Sequence, residues 1–182
     1  MHAHPTPEAT EVVTYWTEAG AKRWFAHDEG FDRDFRERFL SLHERAAKGE
    51  LDETWMRHAE SALALAILLD QFPRNAFRGS ARTFATDAHA RIVADRAIAK
   101  GFDQQVPKEL RAFFYLPFEH SESLADQDRS VALNAALGLP EWAEKHRDII
   151  RRFGRFPHRN ALLARHTTPE EQKFLDEGGF AG

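Results

Sequence analysis

The stretch Arg151-Arg-Phe-Gly-Arg-Phe-Pro-His-Arg-Asn160 holds more hydrogen-bond donors between aromatic residues than any other window of the chain. Four side chains around its start recur at helical spacing and are predicted to share one buried face of a helix: Trp142, His146, Ile149 and Phe153. Gly154 is predicted to end this helix, because glycine adopts a positive φ most easily. Pro157 prevents the helix from resuming, so a stiff turn should follow.

A second Phe-Pro motif lies in the stretch Leu69-Asp-Gln-Phe-Pro-Arg-Asn-Ala76, which also follows an apolar helical run. We predict that it ends its helix in a similar turn. Asp70 would then lie at the carbonyl-rich end of a helix, where a negative charge is disfavoured. The carboxylate is therefore predicted to have a cationic partner, and Arg74 is close enough along the chain.

The rest of the chain has the periodicity of helices joined by short connectors. The predicted fold class is all-α, a single domain of about eight helices, with spans near 7–19, 31–49, 56–72, 83–100, 107–116, 123–138, 140–153 and 168–178. Thr6 and Pro7 should start the first helix, and Pro117 should end the fifth. No window alternates between apolar and polar residues, so no sheet is predicted.

Length and composition set further bounds. The chain has 182 residues, 42% hydrophobic and 30% charged, which is typical of one globular domain. We predict a flexible N-terminal tail over 1–6, the helical domain over 7–177 and a C-terminal tail over 178–182. The absence of cysteine excludes disulfides and thiolate sites. No signal peptide or membrane-spanning run is found in the sequence, so a cytoplasmic location is expected.

The net charge of −4 conceals an uneven distribution. Residues 145–166 contain seven Lys or Arg and one Asp, a net charge of +6, which leaves −10 for the remaining chain. Either this basic segment pairs with acidic side chains inside the fold, or it faces an anionic ligand.

The two Phe-Pro motifs carry the residue types that bind anions. Guanidinium groups hold carboxylate or phosphate in forked pairs, and amides and imidazoles add donors beside them. The candidate ligand-binding residues are Arg74, Asn75, Arg78, Asp87, Glu119, His120, Arg155, His158, Arg159 and Asn160. The structural alternative is that these side chains tie helix ends and buried acids together, and the two readings are compatible.

Glu119 and His120 form a second polar cluster beside an apolar run, together with Ser121, Asp126 and Gln127. A carboxylate next to an imidazole is typical of general acid-base catalysis, so a hydrolase that uses Glu119 and His120 is an alternative function. The spacing of metal ligands is missing, and no phosphate loop, nucleophile elbow or dinucleotide motif is found. No metal or cofactor is therefore expected.

Four motifs together resemble the bacterial family of unknown function DUF924. They are Leu68 to Asn75 with Phe77-Arg-Gly79, Phe84-Ala-Thr-Asp87, Tyr115-Leu-Pro-Phe-Glu-His-Ser-Glu122 with Asp126-Gln127, and Arg152 to Asn160. The resemblance covers roughly residues 10–175. It implies an all-helical fold similar to tetratricopeptide-type helix arrays, and it implies no activity.

The function predicted from these observations is a binding module. Its polar pocket, where the turns at 70–79, 117–127 and 154–160 converge, would take a small anionic ligand or a carboxylate-bearing peptide. A third alternative is RNA binding through the basic segment 145–166, with bases stacked on Phe153 and Phe156. The acidic remainder of the chain argues against that alternative, and no membrane partner is expected.

Overall fold

A computed structural model describes residues 4–182, and every regular element in that range is helical. The all-α prediction is confirmed. Eight α-helices have eight or more residues: α1 (Pro7–Ala19), α2 (Glu29–Ala47), α3 (Ala59–Ala66), α4 (Asp87–Ala99), α5 (Ala112–Glu119), α6 (Leu124–Leu137), α7 (Glu141–Phe153) and α8 (Pro169–Asp176). Shorter helical segments lie between them: Ala21–Trp24, Asp52–Trp55, Ile67–Gln71, Phe72–Ala76, Ala81–Phe84, Asp103–Gln105, Lys108–Leu110 and Pro157–Arg159.

The helix ends follow the capping residues of the sequence. Thr6 Oγ1 accepts a hydrogen bond from the N–H of Ala9, and Pro7 occupies the first turn of α1. At the other end of the chain, Thr168 and Glu171 form a capping box at the start of α8. Gly138 and Gly154 end α6 and α7 in the left-handed conformation, as predicted for the second of them.

The described residues group into two compact units. The first unit comprises the chain up to Arg78 and Arg82–Pro117; the second comprises Gly79–Ala81 and Phe118–Gly182. Of the predicted N-terminal tail, residues 1–3 lie outside the described range. The prediction of one domain over 7–177 stays a prediction.

Helix α3 is the central element of the first unit. Seven of its eight residues are buried, and it contacts α1 and α4. Aromatic rings pack beside it, with Trp16 and Phe35 at a centroid distance of 5.4 Å and Phe35 and Phe72 at 5.2 Å. Helix α2 contributes its apolar stripe to this packing, which is the periodicity that predicted the helix.

The first Phe-Pro motif is not a turn, which contradicts the sequence prediction. After α3 the chain forms a π-helical segment over Ile67–Gln71 and then continues as a short α-helix over Phe72–Ala76. Pro73 lacks the N–H that would bond to an earlier carbonyl, and side chains supply the missing donors. Thr86 Oγ1 donates to the carbonyl of Leu69 at 2.6 Å, and Nδ1 of His43 lies 2.9 Å from the carbonyl of Leu68.

The imidazole of His43 can act as that donor when Nδ1 carries its proton. Burial lowers the pKa of His43, so the uncharged ring is favoured. A neutral ring that carries its proton on Nδ1 satisfies the carbonyl of Leu68. The π-helical segment is thus held by groups from other helices rather than by its own ladder alone.

Pro117 also lies inside a helix, although the sequence predicted that it would end one. Helix α5 continues through Pro117 to Glu119. A proline within a helix costs about 3 kcal/mol, whereas each fully buried Phe contributes about 1.5–3 kcal/mol. Phe113, Phe114 and Phe118 are all buried, so their burial outweighs the lost hydrogen bond. The boundary between the two units falls after Pro117, inside this helix.

The second unit packs α6 against α7 around a small apolar cluster of Ile149, Ile150 and Phe156. Trp142 is not on the buried face, contrary to the prediction, because 61% of it is exposed. The buried stripe of α7 runs through Ala143, His146 and Ile150 instead. The ammonium group of Lys145 lies over the ring of Trp142, 4.4 Å from the ring centroid, in a cation–π contact.

Among residues 4–182, no helix combines the length and the apolar character that crossing a membrane requires.

Candidate functional site

The predicted site residues are divided between the two units. The first unit holds Arg74, Asn75, Arg78 and Asp87; the second holds Glu119, His120, Arg155, His158, Arg159 and Asn160. The convergence of the two sets on one pocket stays a prediction. Within each unit, the contacts of these side chains show which reading of the sequence they support.

Arg74 forms a forked ion pair with Asp87. Its two terminal nitrogens lie 2.8 and 3.1 Å from the carboxylate oxygens, and Nη1 also donates to the carbonyl of Asp70 at 2.8 Å. Burial opposes the charge on Arg74, but Asp70 and Asp87 outweigh it and raise the pKa of the guanidinium. The predicted pairing of Asp70 with Arg74 is confirmed, at 3.4 Å.

Asn75 and Arg78 share a carboxylate that the sequence analysis did not single out. Nδ2 of Asn75 lies 2.7 Å from Oδ1 of Asp32, and Nε of Arg78 lies 2.5 Å from Oδ2. Asp32 is buried beside Phe31 and Phe35 in α2. A carboxylate on an apolar helical stripe was the signal that could have identified it, because a buried acid requires donors.

In the second unit, Arg155 and Asn160 both contact Glu171. Nε and Nη2 of Arg155 lie 2.7 and 2.9 Å from the carboxylate, and Nδ2 of Asn160 lies 3.2 Å from it. The hydrogen bonds from Arg155 lower the pKa of Glu171 to about 2. These two site candidates therefore anchor the start of α8 to the turn that precedes it.

Glu122 and Arg165 fix the second Phe-Pro turn. Arg165 donates to both oxygens of Glu122 at 2.8 and 3.0 Å, and Glu122 also accepts from the N–H of Phe156 at 2.8 Å. Burial raises the pKa of Glu122, but the bonds from Arg165 and Phe156 prevail and lower it. The sequence analysis missed Arg165, because its pairing spans 43 residues.

The remaining candidates of the second unit, together with His146, form what we call the histidine cluster: Glu119, His120, His146, His158 and Arg159. Arg159 is buried, donates to the carbonyl of His120 at 2.9 Å and lies over the Phe156 ring at 4.6 Å. The imidazoles of His146 and His158 are each 5.7 Å from the same ring. The cluster thus brings two imidazoles and one guanidinium around one buried aromatic residue.

His146 pairs with Glu119 within this cluster. Its Nδ1 lies 3.1 Å from Oε1 of Glu119 and 2.8 Å from the carbonyl of Trp142. Because both neighbours are acceptors, Nδ1 is the donor in these contacts. The ring of His120 is 6.3 Å from that of His146. The sequence predicted His146 as a core histidine, and it is indeed buried.

Gln127 holds the backbone that carries Glu119 and His120. Its Nε2 donates to the carbonyls of Glu119 and Ser121 at 2.6 and 2.7 Å, and the side chain is fully buried. In the part of the chain that the structure describes, its Oε1 has no hydrogen-bond partner. In residues 4–182, no three His, Asp or Glu side chains are grouped as metal ligands.

The chain is similar to proteins whose descriptions give no function. The family model described as "Bacterial protein of unknown function (DUF924)" matches residues 12–179. The solved structure of a protein of unknown function, ATU0120 from Agrobacterium tumefaciens, is 54% identical, covers 94% of this chain and 98% of its own, and superimposes with a TM-score of 0.92. No curated protein matches the chain.

Proposed function

The chain belongs to the bacterial family of unknown function DUF924, and we propose that it is a binding module that takes a small anionic ligand at the histidine cluster. The observation that carries this proposal is the packing of two imidazoles and one buried guanidinium around Phe156, with the ring of His120 6.3 Å from that of His146. Imidazole N–H groups and a guanidinium are the donors that carboxylates and phosphates prefer. A free carboxylate or the carboxylate end of a peptide fits this chemistry.

Charge supports the same proposal. Within the cluster the formal charges of Glu119 and Arg159 are opposite, and Glu122 beside the cluster binds Arg165. Protonation of an imidazole would therefore give the cluster a net positive charge. An anion would then be attracted to the cluster.

Ligand-dependent stability tests the proposal. We expect acetate or phosphate at a hundredfold its Kd to raise the free energy of unfolding by about 2.7 kcal/mol at pH 6. His158→Asn should abolish the effect, whereas His166→Asn should retain it, because His166 is exposed in the same unit and lies outside the cluster. Equal stabilisation of both variants would contradict binding at this place.

A hydrolase is the second candidate, and the contact between Glu119 and His146 favours it. A carboxylate that holds Nδ1–H of an imidazole leaves Nε2 as a general base, the arrangement that activates a hydroxyl or a water molecule. The sequence had offered His120 as the base. Hydrolysis of ester and phosphoester panels should then fall at least a hundredfold in Glu119→Gln, and an undiminished rate would remove this candidate.

RNA binding through residues 145–166 is the weakest of the three candidates, since most cations of that segment have acidic partners. The cytoplasmic location, the single domain over 7–177 and the likeness to tetratricopeptide-type arrays are part of the proposal for a binding module.

A further inference from the structure

The last residues of the chain lie against the histidine cluster. Helix α8 ends in a Schellman motif, in which Gly178 N–H bonds to the carbonyl of Leu175 and Gly179 N–H to that of Phe174. Gly178 has a φ of +82°, and a Cβ on Gly179 would lie 2.5 Å from the carbonyl oxygen of Phe174. Glycine at both positions therefore sets the direction in which residues 180–182 leave the helix.

Phe180 places its ring between two imidazoles of the cluster. The ring centroids of Phe180 and His146 are 4.6 Å apart, and those of Phe180 and His158 are 5.2 Å apart, both at steep interplanar angles. Phe180 also packs against the apolar cluster that contains Phe156. Two imidazole edges and one phenyl ring thus line a slot that accepts an aromatic group.

The contacts that hold this segment in the slot are few. In the described chain, the N–H groups of residues 180–182 donate to no backbone carbonyl. Phe180 is only partly buried, and Ala181 and Gly182 are exposed. The Phe180 ring and the approach of Gly182 to the ring of His158 hold a segment that has no backbone ladder. Such a segment should open at lower free energy than the helices, so another aromatic group can replace the ring.

We infer that Phe180 occupies the place of the ligand's aromatic group, so that the histidine cluster takes a small aromatic carboxylate. This inference rests on the proposed function, because the carboxylate would bind the donors of the cluster while the aromatic ring enters the slot. The segment 180–182 is then a displaceable cover of its own binding site.

Binding of three probes to the full chain tests the inference: 3-phenylpropionate, propionate and benzyl alcohol. In Phe180→Ala the slot is vacant, so 3-phenylpropionate should bind at least tenfold more tightly than to the unmodified chain, and propionate equally in both. Phe174→Ala is the matched control, since Phe174 packs on Phe153 rather than on a histidine. No gain in Phe180→Ala over Phe174→Ala overturns the inference.

The unmodified chain supplies a second measurement that does not depend on a variant. On addition of 3-phenylpropionate, the amide signals of Ala181 and Gly182 should move to the positions of a free segment, and signals that do not move overturn the inference. Failure of propionate and phosphate to bind any variant overturns the proposed function. Benzyl alcohol that binds Phe180→Ala under that outcome shows an aromatic slot without an anion site, which also excludes the carboxylate.

Discussion

At the residue scale, Glu171 shows how one carboxylate organises the second unit. It accepts hydrogen bonds from Arg155, Asn160 and the N–H of Thr168 and is almost fully buried. Its pKa of about 2 lies below the ordinary value, so the ionised form is the one that folding favours. The helix start, the turn and the basic segment are therefore joined at a single side chain.

Glu171→Gln tests this arrangement. A carboxylate with a lowered folded-state pKa stabilises the fold above its unfolded pKa near 4.5 and loses that contribution as the pH falls toward 2. We expect the variant to lose about 1.5–3 kcal/mol at pH 7, measured by urea unfolding, and the difference to shrink below pH 4. Glu170→Gln, an exposed neighbour, should stay within about 0.5 kcal/mol. A difference that does not depend on pH would contradict the assignment.

Gln127 is a second residue whose contacts predict a measurable effect. Its amide serves two carbonyls on the segment that carries Glu119 and His120, so Gln127→Met leaves both without that donor. The expected loss of unfolding free energy is about 1–3 kcal/mol. Gln172→Met removes an exposed amide bond in α8 and serves as the control. Equal losses in the two variants would mean that burial of Gln127 has no structural role.

At the element scale, the junction between the π-helical segment and the helix Phe72–Ala76 depends on Thr86. Thr86→Val removes the hydroxyl that donates to the carbonyl of Leu69 and should cost about 1–3 kcal/mol, whereas Thr86→Ser should retain most of the stability. Pro73→Ala restores a backbone N–H that can donate to the carbonyl of Leu69. The double variant should therefore lose less than the sum of the two single ones, as a double-mutant cycle can measure.

Local sequence predicted the elements better than it predicted their partners. Helix ends depend on hydrogen bonds between residues a few positions apart, so a short window of sequence predicts them. This holds at Thr6, Pro7, Gly138 and Gly154. The predictions that Pro73 and Pro117 end their helices were wrong. A side chain from elsewhere in the fold replaces the missing donor at Pro73, and the burial of neighbouring rings compensates for it at Pro117. Such compensation depends on tertiary contacts that a local window does not contain.

The same limit applies to the candidate site. Four residues that the sequence selected lie near one another in the second unit, namely Glu119, His120, His158 and Arg159, and their role as a site stays a prediction. The sequence could not identify Asp32, Arg165 or Glu171 as partners, because each pair joins residues that are far apart in the chain and that only the folded structure brings together. The contacts of Arg74, Arg78 and Arg155 show that these residues hold buried acids in place, which the composition of the sequence could not show.

At the scale of the whole molecule, the uneven charge of the sequence is reduced by local pairing. Within the second unit, Arg147 and Arg151 contact Asp128, Arg152 contacts Glu170, and Arg155 and Arg165 bind Glu171 and Glu122. All four of these acids lie outside the basic segment 145–166. Of the two explanations for the charge asymmetry, pairing inside the fold accounts for most of the cations.

Retention on single-stranded RNA checks that explanation. Paired guanidiniums release few counterions, so we expect no retention at 150 mM salt and almost no dependence of affinity on salt. Arg151→Glu and Arg152→Glu, the changes at two of the more exposed cations, should have no effect. Retention that salt removes, and that either change weakens, would restore RNA binding as a candidate function.

The π-helical segment also has a consequence for how the chain tolerates changes in length. A turn of this kind contains one residue more than an ordinary helical turn, so removing a residue between Ile67 and Gln71 would let the helix regularise. Because a π-helical turn spans about the same rotation as an α-helical turn, the side chains that follow would keep nearly the same direction. Arg74 would then still face Asp87, so this segment is a place where the chain can lose one residue without breaking that ion pair.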